Sequence, residues 1–121
     1  MDNLIRTDRL CLRPRTLRDL ESCIAMDRDP LVTQFIDGPW HDPEKHRAFL
    51  RQRMANVYNY PLGYWAITKQ YAPDEFLGWV MLLPVDDEDP TVEIGWRLIR
   101  AAWGQGIGTE AVRKMIEVIG H

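Results

Sequence analysis

The chain has 121 residues, 45% of them hydrophobic, and a formal net charge of -3. That length suits one domain with a modest core, the slight negative charge argues against a nucleic-acid binder, and no apolar run approaches the roughly 18 residues that cross a membrane. The opening Met1-Asp2-Asn3-Leu4 lacks the basic and apolar blocks of a secretory signal, so the expected compartment is cytoplasmic, with Cys11 and Cys23 as packed thiols rather than a disulfide.

Leu4 to Pro14 reads as a first strand, with Leu10 and Leu12 alternating with Arg9, Cys11 and Arg13. Thr16-Leu17-Arg18-Asp19 has the pattern of a capping box, a hydroxyl followed three residues on by a carboxylate. Leu17, Leu20, Cys23 and Ile24 form the apolar stripe of the short helix it opens, and Asp29-Pro30 ends it. Asp42-Pro43 predicts a second helix start, a cap followed by proline in the first turn. His46, Phe49, Leu50, Met54 and Val57 mark one face of that helix, and Arg47, Arg51 and Arg53 mark the other.

Strand signals follow. Gly63 to Lys69 and Glu75 to Leu83 flank a turn containing Pro73-Asp74 and read as a hairpin. Asp86-Asp87-Glu88-Asp89-Pro90 is an acidic turn, expected to be solvated rather than to hold a metal; His41 and His46 also lack ligand spacing. Thr91 to Ile99 is the fourth predicted strand, with Val92, Ile94, Trp96 and Leu98 on one face and Glu93, Gly95, Arg97 and Ile99 on the other. Ala111, Val112, Met115, Ile116 and Ile119 then recur at helical spacing, with Glu110 and Lys114 four apart as a favourable pair. The order is β-α-α-β-β-β-α. This predicts an α+β fold, a mostly antiparallel sheet with helices packed on it, and argues against a nucleotide-binding repeat of βαβ units.

Between the last strand and helix lies Trp103-Gly104-Gln105-Gly106-Ile107-Gly108-Thr109-Glu110-Ala111. The first turn of a helix carries backbone N–H groups without intrahelical partners, and the helix dipole adds partial positive charge there. An anion placed at that end satisfies both. Gly104, Gly106 and Gly108 would let a pyrophosphate approach closely. No lysine followed by Ser or Thr closes the segment, and the glycine spacing is not that of a dinucleotide fingerprint. From local pattern alone, a glycine-rich turn that serves only tight packing remains the alternative.

Three stretches resemble the Gcn5-related N-acetyltransferase (GNAT) superfamily, most of all the branch containing the ribosomal-protein alanine and serine N-acetyltransferases. They are Thr7-Asp8-Arg9-Leu10-Cys11-Leu12-Arg13-Pro14, Glu93-Ile94-Gly95-Trp96-Arg97-Leu98, and Ala102-Trp103-Gly104-Gln105-Gly106-Ile107-Gly108-Thr109-Glu110-Ala111. Gly106 and Gly108 take the two small-residue places of the family motif. Trp103 stands where the general motif has Gln or Arg, a departure common in this branch.

The resemblance implies a single acetyltransferase domain over residues 1–121, lacking the C-terminal strands that usually complete it. It implies that acetyl-coenzyme A lies against the fourth predicted strand. The pyrophosphate would rest on backbone N–H groups from Gly104 through Gln105, Gly106, Ile107 and Gly108 to Thr109, beside Trp103, with the pantetheine arm pairing near Leu98 and Ile99. Arg100, Arg113 or Lys114 would add charge or be solvated surface. The acceptor would be a primary amine, on a protein N-terminus or a small molecule, lodged between the first two helices and the later strands with Phe35, Trp40 and Trp65 as candidate walls.

The implied reaction is attack of the amine on a thioester carbonyl. A protonated amine is not a nucleophile, so a base is required, and Glu93 is the candidate. A carboxyl near its usual pKa of about 4.3 is a poor base for an ammonium near 10, so burial or a water chain would have to assist. The alternative for Glu93 is a pair with Arg97. Backbone N–H groups near Leu98 would steady the oxyanion. The family's usual acid follows a fifth strand that has no counterpart in this sequence, and Tyr58, Tyr60, Tyr64 and Tyr71 read as core or wall residues. With its last strand an edge, the domain would also suit pairing with a second copy, a homodimer. The competing reading is a catalytically inactive coenzyme A-binding or protein-interaction domain.

Overall fold

The computed structural model describes residues 3–88 and 90–120, so Asp89 of the acidic turn, the first two residues and His121 lie outside it. Five strands form one sheet in the order β1-β2-β3-β4-β5: β1 (Ile5–Arg6), β2 (Leu10–Pro14), β3 (Gly63–Lys69), β4 (Gly78–Pro84) and β5 (Val92–Leu98). Every neighbouring pair is antiparallel. Helices α1 (Leu20–Arg28) and α2 (Pro43–Ala55) lie between β2 and β3, and α3 (Ile107–Ile119) follows β5. This is the antiparallel α+β layering expected, with one more strand at the start.

The extra strand comes from the opening segment. Residues 4–14 are a hairpin, not one strand: Ile5 pairs with Leu12 and Arg6 with Cys11. The reversal at Thr7 to Arg9 is fixed from a distance. The Thr7 amide donates to the Leu10 carbonyl, and the Leu10 amide donates to Thr7 Oγ1. Glu110 of α3 then accepts from Thr7 Oγ1 at 2.5 Å, from the Arg9 amide at 3.0 Å and from Arg9 Nε at 2.7 Å. Glu110 therefore does not pair with Lys114, which reaches Glu117 instead. A tertiary carboxylate that satisfies a turn 101 residues earlier leaves no local sequence signal.

The other elements follow from their residues. Thr16 and Asp19 form the predicted capping box, which opens a 3-10 turn at Leu17–Asp19 before α1 proper. Because that turn is tighter than an α-helix, Leu17 falls off the apolar stripe and is 62% exposed, while Leu20, Cys23, Ile24 and Met26 are buried. Asp42 caps α2 by accepting from the Lys45 amide, with Pro43 in the first turn. His46 and Leu50 are the buried residues of α2; Val57 lies beyond its end and is exposed.

Strand alternation sorts the sheet's two faces. Leu10, Leu12, Trp65, Ile67, Val80, Leu82 and Leu98 meet Ile107, Ala111 and Met115 of α3 in one core. Trp79, with Tyr64 and Met81, meets α1 and α2 through Leu20, Cys23, Ile24, Met26 and Leu50 in a second. Each fully buried aliphatic side chain contributes about 1.5–3 kcal/mol relative to exposure. Ile116 and Ile119 of α3, predicted on its apolar stripe, are exposed, because the buried face runs through Ile107, Gly108, Ala111 and Met115. Among the described residues no helix is long and apolar enough to cross a membrane.

Burial pushes the Glu110 carboxyl up, but the hydrogen bonds from Thr7 and Arg9 outweigh it and leave its pKa below the ordinary 4.5. A carboxyl held low in the folded state binds fewer protons there than when unfolded, so its contribution is complete above pH 4.5 and is lost as pH falls through the lower folded value. Replacing Glu110 with Gln should lower stability at neutral pH by about 1–3 kcal/mol and shrink the loss of stability on acidification. Urea denaturation across a pH series measures both.

Candidate functional site

β5 runs through Ile99 into a second 3-10 turn at Arg100–Ala102, and the chain then reverses over Trp103 to Gly106. Gly104 and Gly106 both have φ of +74°, a left-handed conformation that costs an L-residue roughly 1–2 kcal/mol. Gly106 is the N-cap of α3, and no side chain caps that helix. Its first-turn N–H groups, on Ile107, Gly108 and Thr109, have no earlier helical turn to donate to. A Cβ placed on Gly104 would meet nothing within 4 Å, so the turn's outer surface is open. A Cβ on Gly106 would lie 3.5 Å from Arg9 Nη2. The β1–β2 turn thus brings a cation beside the start of α3, a placement that sequence spacing does not reveal.

Gly108 has a different task from the other two. Its φ is not positive, and a Cβ there would fall 2.6 Å from Trp96 Nε1. It lets α3 lie closely against β5. The polar side chains of the turn brace it from within: Gln105 Nε2 donates to the Ala101 carbonyl at 2.8 Å and Trp103 Nε1 to the Leu98 carbonyl at 3.1 Å. Arg100 is held by Asp29 at 2.5 Å, so its charge is directed to the end of α1.

β5 is the edge of the sheet. The Ile99 amide donates to the Leu77 carbonyl, and the Val85 amide donates to the Thr91 carbonyl. Antiparallel alternation then turns the main-chain groups of residues 91, 93, 95, 97 and 99 toward β4 and those of Ile94, Trp96 and Leu98 outward. The free edge is therefore offered by Trp96 and by the Leu98 amide, while the Leu98 carbonyl accepts from Trp103 Nε1 and the Ile99 amide is already engaged. A groove of about 180 Å³ lies against this edge, lined by Val32, Ile36, Trp96, Arg97, Leu98 and Trp103.

A neighbouring cavity of about 200 Å³ opens between α2, the loop before it and the sheet, and shares Ile36 and Arg97 with the edge groove. Of the candidate acceptor walls, Trp40 lines it, with Phe49, Tyr64 and Trp79. Phe35 does not; it is 91% exposed. Trp65 does not either, because its parity on β3 puts it in the core under α3. Glu93 is exposed on β5 opposite Leu83 in the register, on the same strand face as Arg97. It is not bonded to Arg97.

Arg97 has another partner, and this group was not visible in the sequence. Its Nη1 donates to Asp27 Oδ1 at 2.7 Å, and His46 Nε2 lies 3.2 Å from Asp27 Oδ2. Asp27 and His46 are buried. The guanidinium lies 5.2 Å from the Trp40 ring centre and 5.0 Å from that of Trp79, within cation–π range. Thr33 Oγ1 donates to the Asp27 carbonyl and so ties the following loop to α1. One buried carboxylate thereby joins α1, α2 and β5 at the wall shared by the two recesses. Cys23 sits on the same face, and burial pushes its thiol up to about 11, which keeps it protonated and inert. Among the described residues, no cluster of His, Cys, Asp and Glu is suited to a metal ion.

An acetyltransferase (GNAT) domain family model matches residues 9–120. The chain belongs to this family. It is 30% identical over 119 residues to the uncharacterized N-acetyltransferase p20 of Bacillus licheniformis, covering 92% of this chain and 62% of that relative. The fold matches the crystal structure of a GNAT-family acetyltransferase from Bacillus anthracis with a TM-score of 0.74 at 20% identity, over 94% of this chain and 64% of that one. It also matches the microcin C7 self-immunity acetyltransferase MccE, solved in complex with acetyl-CoA and AMP, with a TM-score of 0.70 at 21% identity, over 94% and 64%. The chain thus spans less than two thirds of the length of each of these proteins.

Removing the Asp27 carboxylate should leave Arg97 charged and unpaired in a partly buried site. Asp27→Ala should therefore destabilise the domain by about 3–5 kcal/mol, read as a shift of the urea midpoint with an unchanged slope. A loss within 0.5 kcal/mol would show that the network is not structural.

Proposed function

We propose that this domain binds acetyl-coenzyme A and transfers its acetyl group to a primary amine, on a small molecule or a protein N-terminus. The observation that carries the reading is the uncapped start of α3, set behind two left-handed glycines and next to the free edge of β5. The fit is chemical: open space at Gly104, main-chain donors on Ile107, Gly108 and Thr109, and Arg9 at the flank suit a diphosphate. The outward main-chain groups of Trp96 and the Leu98 amide suit an amide-bearing arm laid along the edge like a short strand. MccE, of the same fold, is known with acetyl-CoA bound.

Acetyl-coenzyme A supplies an activated acyl group as a thioester. The chain's part is to hold that group and the amine in one geometry, which removes much of the entropic barrier. Arg97 and Ile36, common to the edge groove and the cavity, set the point where amine and acyl group would meet. Glu93 is the base in this reading. It is exposed, so a chain of water rather than burial would connect it to the amine. That same exposure favours a second reading, a coenzyme A-binding domain without turnover.

Calorimetry with coenzyme A separates the cradle from its alternatives. The unaltered chain should bind, and Gly106→Val, which forces a β-branched residue into a left-handed turn, should weaken binding at least tenfold. Unchanged affinity in that variant would discard the cradle. Thiol release from acetyl-coenzyme A, with and without an amine panel, then tests turnover. Glu93→Gln should slow amine-dependent release by about 100-fold with coenzyme A affinity retained. Binding without amine-dependent release would establish the silent reading.

A further inference from the structure

The cavity beside Arg97 has a charge that selects its occupant. Its wall carries three guanidinium groups, on Arg15, Arg53 and Arg97. Arg97 is matched by Asp27. Arg15 and Arg53 have no ion-pair partner among the described residues; they lie against aromatic rings instead. The Arg15 guanidinium is 3.8 Å from the Tyr64 ring centre, and that of Arg53 is 4.6 Å from the Phe49 ring centre. Arg53 Nη1 also reaches the Tyr64 hydroxyl at 3.4 Å. Stacking on rings leaves the edge donors of a guanidinium free for a planar or tetrahedral oxyanion. The single opposing charge in the wall outside that pair is Asp37, at the exposed rim. The balance inside is positive.

We infer that the acceptor taken by this cavity is a small amine that also carries an oxyanion, a carboxylate or a phosphate, rather than a polycation. The inference rests on the reading of the cavity as the acceptor site and narrows it. The anion would be gripped by Arg15 and Arg53 in the forked, two-bond manner that guanidinium allows. The amine would then extend toward Arg97 and the β5 edge, and Trp40 and Trp79 would flank the body between. At about 200 Å³ the space is below the roughly 300–1,000 Å³ of sites for drug-sized ligands, which favours a compact molecule. A polyamine would bring two or more positive charges against two unmatched arginines, an arrangement that like-charge repulsion opposes.

The test is nitrogen–proton NMR on the full chain without coenzyme A, following the Trp40 and Trp79 indole N–H signals. The probes are L-aspartate, 2-aminoethyl phosphate and spermidine. Saturable shifts with aspartate, aminoethyl phosphate or both are expected, and which of the two binds more tightly identifies the anion. Spermidine should leave the signals in place. Arg53→Gln and Arg15→Gln should each weaken binding about tenfold or more. Arg51→Gln, one exposed charge removed from the same helix outside the cavity, should not change it. Arg53 is exposed on α2, so its variant is a fair test even if Arg15→Gln is unstable. Spermidine binding equal to that of the anions, no saturable shift with either anion, or affinities indifferent to Arg53 would overturn the inference. Since coenzyme A is absent, a failed acetyl transfer would not be confused with a failed anion site. If transfer is also measured, Arg53→Gln should raise KM for the anionic amine and leave kcat nearly unchanged.

Discussion

The junction between β5 and α3 sets the geometry on which the rest of the site depends. A helix that starts against an edge strand must turn the chain sharply in a few residues without covering its own first N–H groups. Gly104 and Gly106 do this by adopting a left-handed conformation, and Gly108 removes the side chain that would hold α3 away from Trp96. The three glycines therefore answer two separate demands, one of backbone angle and one of volume. Because no side chain caps α3, its electropositive end stays available. Capping side chains contribute about 1 kcal/mol in most helices, so a helix that forgoes one gives up stability at a place suited to a ligand.

A second constraint keeps the two halves of the recess in register. Asp27 is buried with two partners, Arg97 and His46, and each comes from a different element. Breaking any one contact would leave a charge or a polar ring nitrogen in a nearly dry setting, and His46 Nδ1 already has no partner. Networks of this kind are sensitive to displacement of any member. Through that one carboxylate α1, α2 and β5 are tied to one another at the wall between the edge groove and the arginine-lined cavity.

Much of the scaffold was legible in the sequence because its signals are local. The Thr16–Asp19 capping box, the Asp42-Pro43 helix start and the alternation along Gly63 to Lys69 all depend on residues within a few positions of one another. The glycine turn belonged to the same class. The parts that escaped are tertiary. The split of the first strand depends on Glu110 in α3 accepting from Thr7 and Arg9. The Asp27–Arg97–His46 group joins residues up to 70 positions apart. Trp65 and Trp40 look equally apt as cavity walls in sequence, yet strand parity sends Trp65 into the core under α3, while Trp40, in the loop before α2, lines the cavity. Exposure of Ile116 and Ile119 shows that helical spacing defines a stripe without saying which edge of it is covered.

The account rests on main-chain donors at the start of α3 being free to meet a diphosphate. The most direct measurement is a coenzyme A titration followed at the amide signals of Gly104 to Thr109. The account predicts that these amides move together and saturate, with the largest changes at Ile107, Gly108 and Thr109. Saturable binding of coenzyme A that leaves those signals still while others shift would contradict it.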